Sequence, residues 1–246
     1  MTLSFKLRLP AIALLAAGLV LAPSLRAQDK AAPAAAVPPA AAKAADKPAE
    51  RIDTLRRIRD TGILTLGVRE SSVPFSFLDT QKQPQGYSVD LCMRMADTIK
   101  GELKLPKLEV RFVPVSSSNR IPMLVDGKID LECGSTTNTR DRQKQVAFAY
   151  TSFVAGIKML AKKTANINTI EDLRGKEIVV TKGTTSEKIV QQLNTERLLN
   201  MKVITSADHA ESFKAVEDGK AVAFPMDDVL LYGLISKSKK PDDFAV

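Results

Sequence analysis

Short apolar runs alternate with amphipathic stretches along the chain from residue 51 onward. Runs rich in Val, Ile and Leu predict strands, whereas apolar residues that recur every three or four positions predict helices. Ile52, Leu55 and Ile58 fall on one helical face. Gly62 ends that helix, and residues 63–68 follow as a strand. The pattern therefore predicts an α/β fold.

The alternation continues to the end of the chain. Further strands are predicted over residues 108–115, 129–133, 153–161, 177–181, 202–204 and 221–224. One further helix is predicted to begin at Ser88, which we expect to cap it, and another to begin within residues 183–187. Four more helices are predicted over residues 119–125, 169–173, 209–218 and 227–236. Strands that alternate with helices in this way form parallel sheets with helices on both faces.

The alternating series occurs twice, which predicts two α/β lobes joined by an extended segment with a ligand cleft between them. We expect lobe 1 over residues 50–152 and lobe 2 over residues 153–246. Ligands of open parallel sheets bind beyond the carboxyl ends of the strands. The loops that follow the strands are therefore the predicted place of a site.

The N-terminal part of the chain does not follow this pattern. A basic start, the apolar run 9–22 and the small residue Ala27 predict a signal peptide over residues 1–27, cleaved on export to the periplasm. A membrane anchor is the alternative, although the run is shorter than the roughly 20 residues that span a bilayer. Residues 28–49 are almost entirely Ala, Pro, Lys and Asp and predict a disordered linker.

Composition excludes several classes of function. The net charge of +8 falls to +4 when residues 1–49 are set aside, because they hold six of the 36 basic residues and two of the 28 acidic ones. With no Trp and no basic run interleaved with aromatic residues, we expect no nucleic-acid partner. A single His and two cysteines outside any CxxC predict no metal site. Cys92 and Cys133 either pair in an oxidising compartment or are two buried free thiols.

The predicted loops after the strands collect cationic and hydroxyl side chains. They are the segments 68–72, 116–120, 133–138 with Arg142, 181–185, 208–209 and 225–228. Three arginines and one histidine, with hydroxyls and a few Asp, suit a small zwitterion that carries an extra negative charge. Guanidinium binds carboxylate through two parallel hydrogen bonds, and amides at a helix N-terminus satisfy further carboxylate lone pairs.

Each of these residues also has a structural alternative. A lone Arg in a surface loop is usually solvated, and Thr184, His209 and Asp227 each precede or begin a helix and could serve only as caps. No segment has the spacing of a nucleotide-binding loop, a serine hydrolase or a zinc protease, so we expect no cofactor and no catalytic residue.

At these same loops the sequence resembles the glutamate/aspartate-binding proteins of ABC importers, within the family 3 amino-acid-binding proteins. The matching segments are 67–76, 118–122, 132–138, 142–145, 180–187, 221–224 and 226–228. The resemblance implies a two-lobed fold of the type II periplasmic-binding-protein kind. Members of that family continue for several tens of residues beyond the equivalent of Val246, which implies that the C-terminal part of the fold is missing from this chain. Pro225, beside Asp227, departs from the family pattern.

Residue by residue, the resemblance implies a ligand set. Arg142 would bind the α-carboxylate, and Asp227 the α-ammonium. The hydroxyls and amides that would assist Arg142 belong to Ser135, Thr137, Thr184 and Thr185. The side-chain carboxylate would be surrounded by Arg69, Ser117, Arg120 and His209, although the run 116–118 leaves the matching serine ambiguous. A protonated His209 would make affinity fall as the pH rises well above about 6.5.

The expected function is the periplasmic binding of glutamate or aspartate by a monomer that delivers it to the membrane permease of an ABC importer. The alternatives are the ligand-sensing domain of a receptor and a dehydratase for small acids on the same fold. For the dehydratase, Glu70 and His209 are the available acid/base groups.

Overall fold

The computed structural model describes residues 53–246, so the predicted signal peptide and linker lie outside the described residues. In chain order, the N-terminal part contains α1 (Thr54–Thr61), β1 (Ile63–Val68), β2 (Ser71–Ser72), β3 (Ser76–Leu78), β4 (Pro84–Gln85), α2 (Tyr87–Glu102), β5 (Glu109–Pro114), α3 (Arg120–Val125), β6 (Leu131–Cys133) and α4 (Arg140–Gln143).

The C-terminal part continues the α/β pattern. It contains β7 (Ile157–Lys162), β8 (Glu177–Thr181), α5 (Thr185–Glu196), β9 (Lys202–Ser206), α6 (His209–Glu217), β10 (Ala223–Asp227), α7 (Asp228–Ile235) and β11 (Phe244–Ala245). Short 3-10 turns lie at Lys163–Ala165, Ile170–Leu173 and Pro241–Asp243.

The N-terminal sheet has the strand order β5-β1-β6, and both neighbours of β1 run parallel to it. Leu64, Leu66 and Val68 of β1 lie on one face of the strand and pack with the buried face of α2. A disulfide between Cys92 of α2 and Cys133 of β6 ties that helix to the sheet across 41 residues of sequence. The structure thus settles the open question of the two cysteines in favour of pairing.

The C-terminal sheet has the strand order β11-β7-β10-β8-β9 and is mixed. Strands β8 and β10 are parallel, as are β8 and β9, whereas β7 runs antiparallel to both β10 and β11. The expectation of parallel sheets throughout was therefore wrong here. One face of this sheet packs against α6 and α7, and the other packs against α5.

Three local predictions also need correction. Gly86 is the residue that precedes α2, and Ser88 lies inside the helix, where its hydroxyl donates to the carbonyl of Gly134 at 2.7 Å. Strand β7 begins at Ile157 rather than at residue 153. Strands β2, β3 and β4 form a small antiparallel sheet that the pattern did not predict. Such short strands carry too few residues for a periodic signal.

All the described residues belong to one compact unit. The finer division into two lobes at residue 152 stays a prediction. Within residues 53–246, no helix has the length and apolar character needed to cross a membrane.

Candidate ligand-binding site

The ends of the parallel strands place the predicted site residues at one edge of each sheet. Arg69 follows β1, Ser117 lies in the loop after β5, and Arg120 begins α3. From the C-terminal sheet, Thr184 caps α5 after β8, and His209 begins α6 after β9. The loops of one sheet contact the loops of the other through polar groups.

Arg69 is fully buried at the centre of this meeting point. Its Nη1 donates to Ser117 Oγ at 2.9 Å, and its backbone N–H donates to Ser76 Oγ at 2.8 Å. Its Nε and Nη2 are buried without a hydrogen-bond partner among the described residues. Burial lowers the pKa of Arg69, and the charges of Asp208 and Glu132 oppose that shift. The contact identifies Ser117 as the serine of the run 116–118 that faces a guanidinium.

Asp208 reaches Arg69 from the other sheet. Its Oδ2 lies 3.5 Å from Arg69 Nη2, an ion pair without hydrogen-bond geometry. Its Oδ1 accepts a hydrogen bond from Ser71 Oγ and another from the N–H of Ala210, at 2.8 Å. Asp208 therefore caps α6 and at the same time joins the two sides of the site.

Arg120 is the second buried guanidinium, only 3% exposed. Its Nη1 lies 3.8 Å from Glu132 Oε1, and both atoms, like Arg120 Nε, lack a hydrogen-bond partner within the described part of the chain. Burial lowers its pKa to about 10, against the opposing charge of Glu132. Arg120 therefore keeps its charge at neutral pH and has donors available for an anion.

Arg142 is half-buried and bridges the two sides through backbone carbonyls. Its Nη1 donates to the carbonyl of Thr137 at 2.9 Å, and its Nη2 donates to the carbonyl of Gly183 at 3.1 Å. Nearby, the hydroxyls of Thr137 and Thr185 are 3.5 Å apart. Burial lowers the pKa of Arg142, with Glu132 and Asp227 opposing the shift.

His209 is buried, and its ring is hydrogen-bonded to a side chain of β8. Its Nδ1 lies 3.0 Å from Thr181 Oγ1, which is 2.7 Å from Ser212 Oγ, and Ser206 Oγ is 2.5 Å from that same Ser212 oxygen. Burial lowers the pKa of His209 well below its ordinary value, and the charges of Arg69 and Arg120 lower it further. The ring is therefore neutral at neutral pH. This opposes the expectation of a protonated His209 and of the pH dependence built on it.

A cavity of about 480 Å³ opens beside these groups. Its lining includes Arg120, Ser135, Thr137 and Asp227. The other predicted ligand-binding residues do not line it; they are Arg69, Ser117, Arg142, Thr184, Thr185 and His209. Burial raises the pKa of Asp227, as does Asp228, while Arg120 and Arg142 oppose the shift. Asp227 precedes α7 but its side chain makes no capping hydrogen bond, so its carboxylate is free to bind a cation.

Thr184 is engaged in the fold rather than pointing its hydroxyl to the cavity. Its Oγ1 donates to the carbonyl of Thr181 at 2.8 Å and accepts from the N–H of Glu187 at 3.1 Å. The hydroxyl of Thr184 therefore acts as a helix cap, which was the structural alternative for this residue. The structure does not pair its hydroxyl with the other predicted ligand-binding residues.

Gly183 marks the closest approach of the two sides. Its φ is +80°, and a Cβ added there would lie 2.7 Å from Ser118 Cα and 2.8 Å from the carbonyl oxygen of Ser117. No side chain fits at that distance without moving one loop. Glycine alone satisfies both the backbone angle and the contact.

Sequence reasoning missed Glu132 and Asp208 as parts of the site. The alternation of apolar and polar residues over 129–133 places Glu132 on the face opposite Cys133, and this signal was available. Nothing in the pattern shows that the carboxylate of either residue lies beside a guanidinium, because that depends on packing between distant segments.

Comparisons with known proteins agree with this picture. The sequence profile of the bacterial extracellular solute-binding proteins, family 3, matches residues 64–237. The chain is 50% identical over 198 residues to an L-glutamate/L-aspartate-binding protein of Pseudomonas aeruginosa, covering 80% of this chain and 66% of that protein. It is 44% identical over 241 residues to a glutamate/aspartate import solute-binding protein of Escherichia coli, covering 98% of this chain and 74% of that protein.

A solved structure extends the likeness to three dimensions. The cysteine-binding protein from Campylobacter jejuni superposes with a TM-score of 0.68 at 29% identity, covering 78% of this chain and 73% of that one. This likeness confirms the predicted fold class. The chain spans about two thirds to three quarters of the length of the two curated relatives, 66% and 74%.

Proposed function

Because this chain belongs to the bacterial extracellular solute-binding proteins of family 3, we propose that it binds glutamate or aspartate and delivers it to the membrane permease of an ABC importer. The relatives that match over most of the chain carry glutamate and aspartate in their names. That likeness supports the class of ligand, and the chemistry of the site supports it independently.

The observation that carries the proposal is the pair of buried guanidinium groups with unpartnered donors. Within residues 53–246, Arg69 and Arg120 together have four buried nitrogen atoms without a hydrogen bond, Nε and Nη2 of the first and Nε and Nη1 of the second. A buried charged donor left without a partner is costly, about 1–3 kcal/mol or more. A ligand carboxylate placed between these residues would satisfy them, and Ser117 and the neutral His209 would complete its surroundings.

The second carboxylate and the ammonium of the ligand have their own partners. Arg142 would bind the α-carboxylate with help from the hydroxyls of Ser135 and Thr137 and the amide of Thr185. The contribution of Thr184 would be through its backbone, since its hydroxyl is engaged in the fold. Asp227 would bind the α-ammonium. With two cationic subsites and one anionic subsite, the site matches a dicarboxylic amino acid better than a neutral one.

Export to the periplasm and action as a monomer belong to the same proposal. The basic and apolar N-terminal sequence supports export. The relatives are solute-binding proteins, which favours this function over a dehydratase. The unpartnered donors also favour capture of an anion over acid/base catalysis, because a neutral buried His209 beside two guanidinium groups is poorly placed to accept a proton.

Isothermal titration of the purified protein with four amino acids tests the proposal. We expect glutamate and aspartate to bind, and glutamine and asparagine to bind at least about tenfold more weakly, which corresponds to about 1.4 kcal/mol. The amide would present N–H donors to the donors of Arg69 and Arg120 and leave them unsatisfied. Equal affinity for glutamate and glutamine, or binding of neither acid, would contradict the proposed function.

A further inference from the structure

Glu132 is the carboxylate that acts on all three arginines of the site. Among the described residues, the other carboxylates affect fewer of these arginines: Asp208 and Glu70 raise the pKa of Arg69, and Asp227 raises the pKa of Arg120 and Arg142. The charge of Glu132 raises the pKa of each of the three. Glu132 is therefore a shared counter-charge of the cluster rather than the partner of one residue.

The position of Glu132 in β6 and the absence of a side chain at Gly134 bring this carboxylate close to the guanidinium groups. In β6, Glu132 pairs with Gly67 of β1, while Cys133 beside it turns to the core with α2. Successive residues of a strand face opposite sides, so Glu132 faces away from α2. A Cβ at Gly134 would lie 2.3 Å from Glu132 Oε1 and 2.8 Å from Arg69 Cγ. Glycine at position 134 thus makes the room that the carboxylate occupies.

Only one of the two carboxylate oxygens of Glu132 accepts a hydrogen bond within the described residues. Its Oε2 accepts a hydrogen bond from Thr136 Oγ1 at 2.8 Å. Its Oε1 is buried, has no hydrogen bond within the described residues and lies 3.8 Å from Arg120 Nη1. The carboxylate is close enough to balance the charge of Arg120, yet Thr136 holds it short of a direct hydrogen bond. The donors of Arg120 stay available.

We propose that Glu132 is a specificity-determining residue that balances the guanidinium cluster in the free protein and repels the side-chain carboxylate of the ligand in the bound one. The inference rests on the proposed binding of acidic amino acids. It predicts effects of opposite sign when the charge of Glu132 is removed. The free protein becomes less stable, because three guanidinium groups then repel one another with less compensation, and acidic ligands bind more tightly.

The main test compares Glu132→Gln with Glu102→Gln. Glu102 is an exposed carboxylate at the C-terminal end of α2, so its removal changes the net charge equally in a solvent-screened position. For Glu132→Gln we expect a lower midpoint of thermal unfolding without ligand and about tenfold tighter binding of glutamate in isothermal titration. We expect little change for glutamine, which has no side-chain charge. Glu102→Gln should alter each affinity less than about twofold.

A purely structural role for Glu132 predicts a different result, because stability and glutamate affinity would then fall together. That outcome, or an unchanged affinity, would overturn the inference while leaving the proposed function intact. Failure of the wild-type protein to bind either acid would instead overturn the proposed function.

A second variant, Thr136→Val, tests the role of Glu132 if Glu132→Gln does not fold. Thr136→Val removes the hydroxyl that holds Glu132 away from Arg120, so the internal ion pair should tighten and compete with the ligand. We expect glutamate to bind several-fold more weakly in Thr136→Val, and glutamine to be much less affected. Unchanged or tighter glutamate binding by this variant would contradict the role assigned to Glu132.

Discussion

The two sides of the binding site satisfy their polar groups in different ways. On the N-terminal side, five of the eight buried unpartnered side-chain atoms in the described chain belong to Arg69, Arg120 and Glu132. On the C-terminal side, His209, Thr181, Ser212 and Ser206 form a continuous hydrogen-bonded chain. The buried guanidinium groups of the N-terminal side thus have hydrogen bonds left unmade, whereas the ring of His209 on the C-terminal side lies in a chain of neutral groups that are hydrogen-bonded to one another.

This difference assigns separate tasks to the two sides. Unpartnered buried guanidinium groups raise the free energy of the protein until an anion binds, so they supply affinity and charge selectivity. The hydrogen-bonded chain that begins at His209 Nδ1 fixes the orientation of the ring, which burial and the two guanidinium groups keep neutral, so this side supplies shape. Changes on the N-terminal side should therefore alter binding more than stability, and changes on the C-terminal side should do the reverse.

The largest expected effect concerns Arg142, which spans both sides. Arg142→Ala removes the predicted partner of the α-carboxylate, which every amino acid carries, and also the hydrogen bond to Gly183. Loss of a charged partner of this kind costs about 2–5 kcal/mol of binding free energy. We expect titration to detect no binding of any amino acid at concentrations that saturate the wild type. The exposed neighbour Arg140 provides the control variant Arg140→Ala, which should bind normally.

The next effect separates charge from general affinity. Arg120→Met keeps the length and burial of the side chain but removes the charge. We expect glutamate affinity to fall at least about tenfold and glutamine affinity to fall much less, because only the acid loses an ionic partner. Arg111→Met, at an exposed position of β5, is the matched control. Equal losses for the two ligands would show that Arg120 does not bind the side-chain carboxylate.

On the C-terminal side, Thr181→Val should reduce the stability of the protein more than its affinity for glutamate. The variant leaves His209 Nδ1 and Ser212 Oγ short of a buried hydrogen-bond partner, and we expect a loss of about 1–3 kcal/mol in the free energy of unfolding. Glutamate affinity should change by less than about fivefold. Chemical denaturation measures the first quantity and titration the second. Thr195→Val, which removes an exposed hydroxyl in α5, should change stability by less than about 0.5 kcal/mol.

The smallest effect is the pH dependence of His209, the only histidine in the sequence. Its pKa in the fold is lowered, chiefly by burial. Below an unfolded-state pKa of about 6.5, the unfolded chain therefore binds a proton that the folded chain does not, and stability falls as the pH falls. From pH 7 to 5.5 we expect a loss of about 1 kcal/mol that His209→Gln lacks.

Glutamate affinity should meanwhile not fall as the pH rises above about 6.5, since burial lowers the pKa of His209 and the ring is already neutral there. Titration of the ring followed by NMR gives the pKa directly, because no other histidine overlaps with it. A measured pKa above 7 in the folded protein would restore the protonated His209 that the sequence suggested and would remove the distinction drawn between the two sides.

Sequence patterns predicted the elements that depend on local preference. Residues 177–181 form a strand with the predicted bounds, because a β-branched run lies between Lys176 and the Lys182-Gly183 turn. Strand direction has no such local signal, so the antiparallel placement of β7 could not be predicted. The predicted start of β7 was too early, because residues 153–156 have an apolar composition but form no regular secondary structure.

The site could be predicted as a set of cations, because strand ends in a parallel sheet meet at one edge. Its counter-charges could not. Whether Glu132 lies beside Arg120, or Asp208 beside Arg69, depends on how segments distant in sequence pack. The charge state of His209 depends on burial and on both neighbouring guanidinium groups.

The close approach at Gly183 has a consequence for sensor engineering. Since a Cβ there would meet the backbone of Ser117 and Ser118, side-chain volume at this position acts as a spacer between the loops that surround the ligand. A larger side chain at position 183 must therefore displace either its own loop or the loop of Ser117 that leads into α3 at Arg120. A series from Gly183→Ala to Gly183→Ser and Gly183→Val should give reporters that respond to glutamate at progressively higher concentrations.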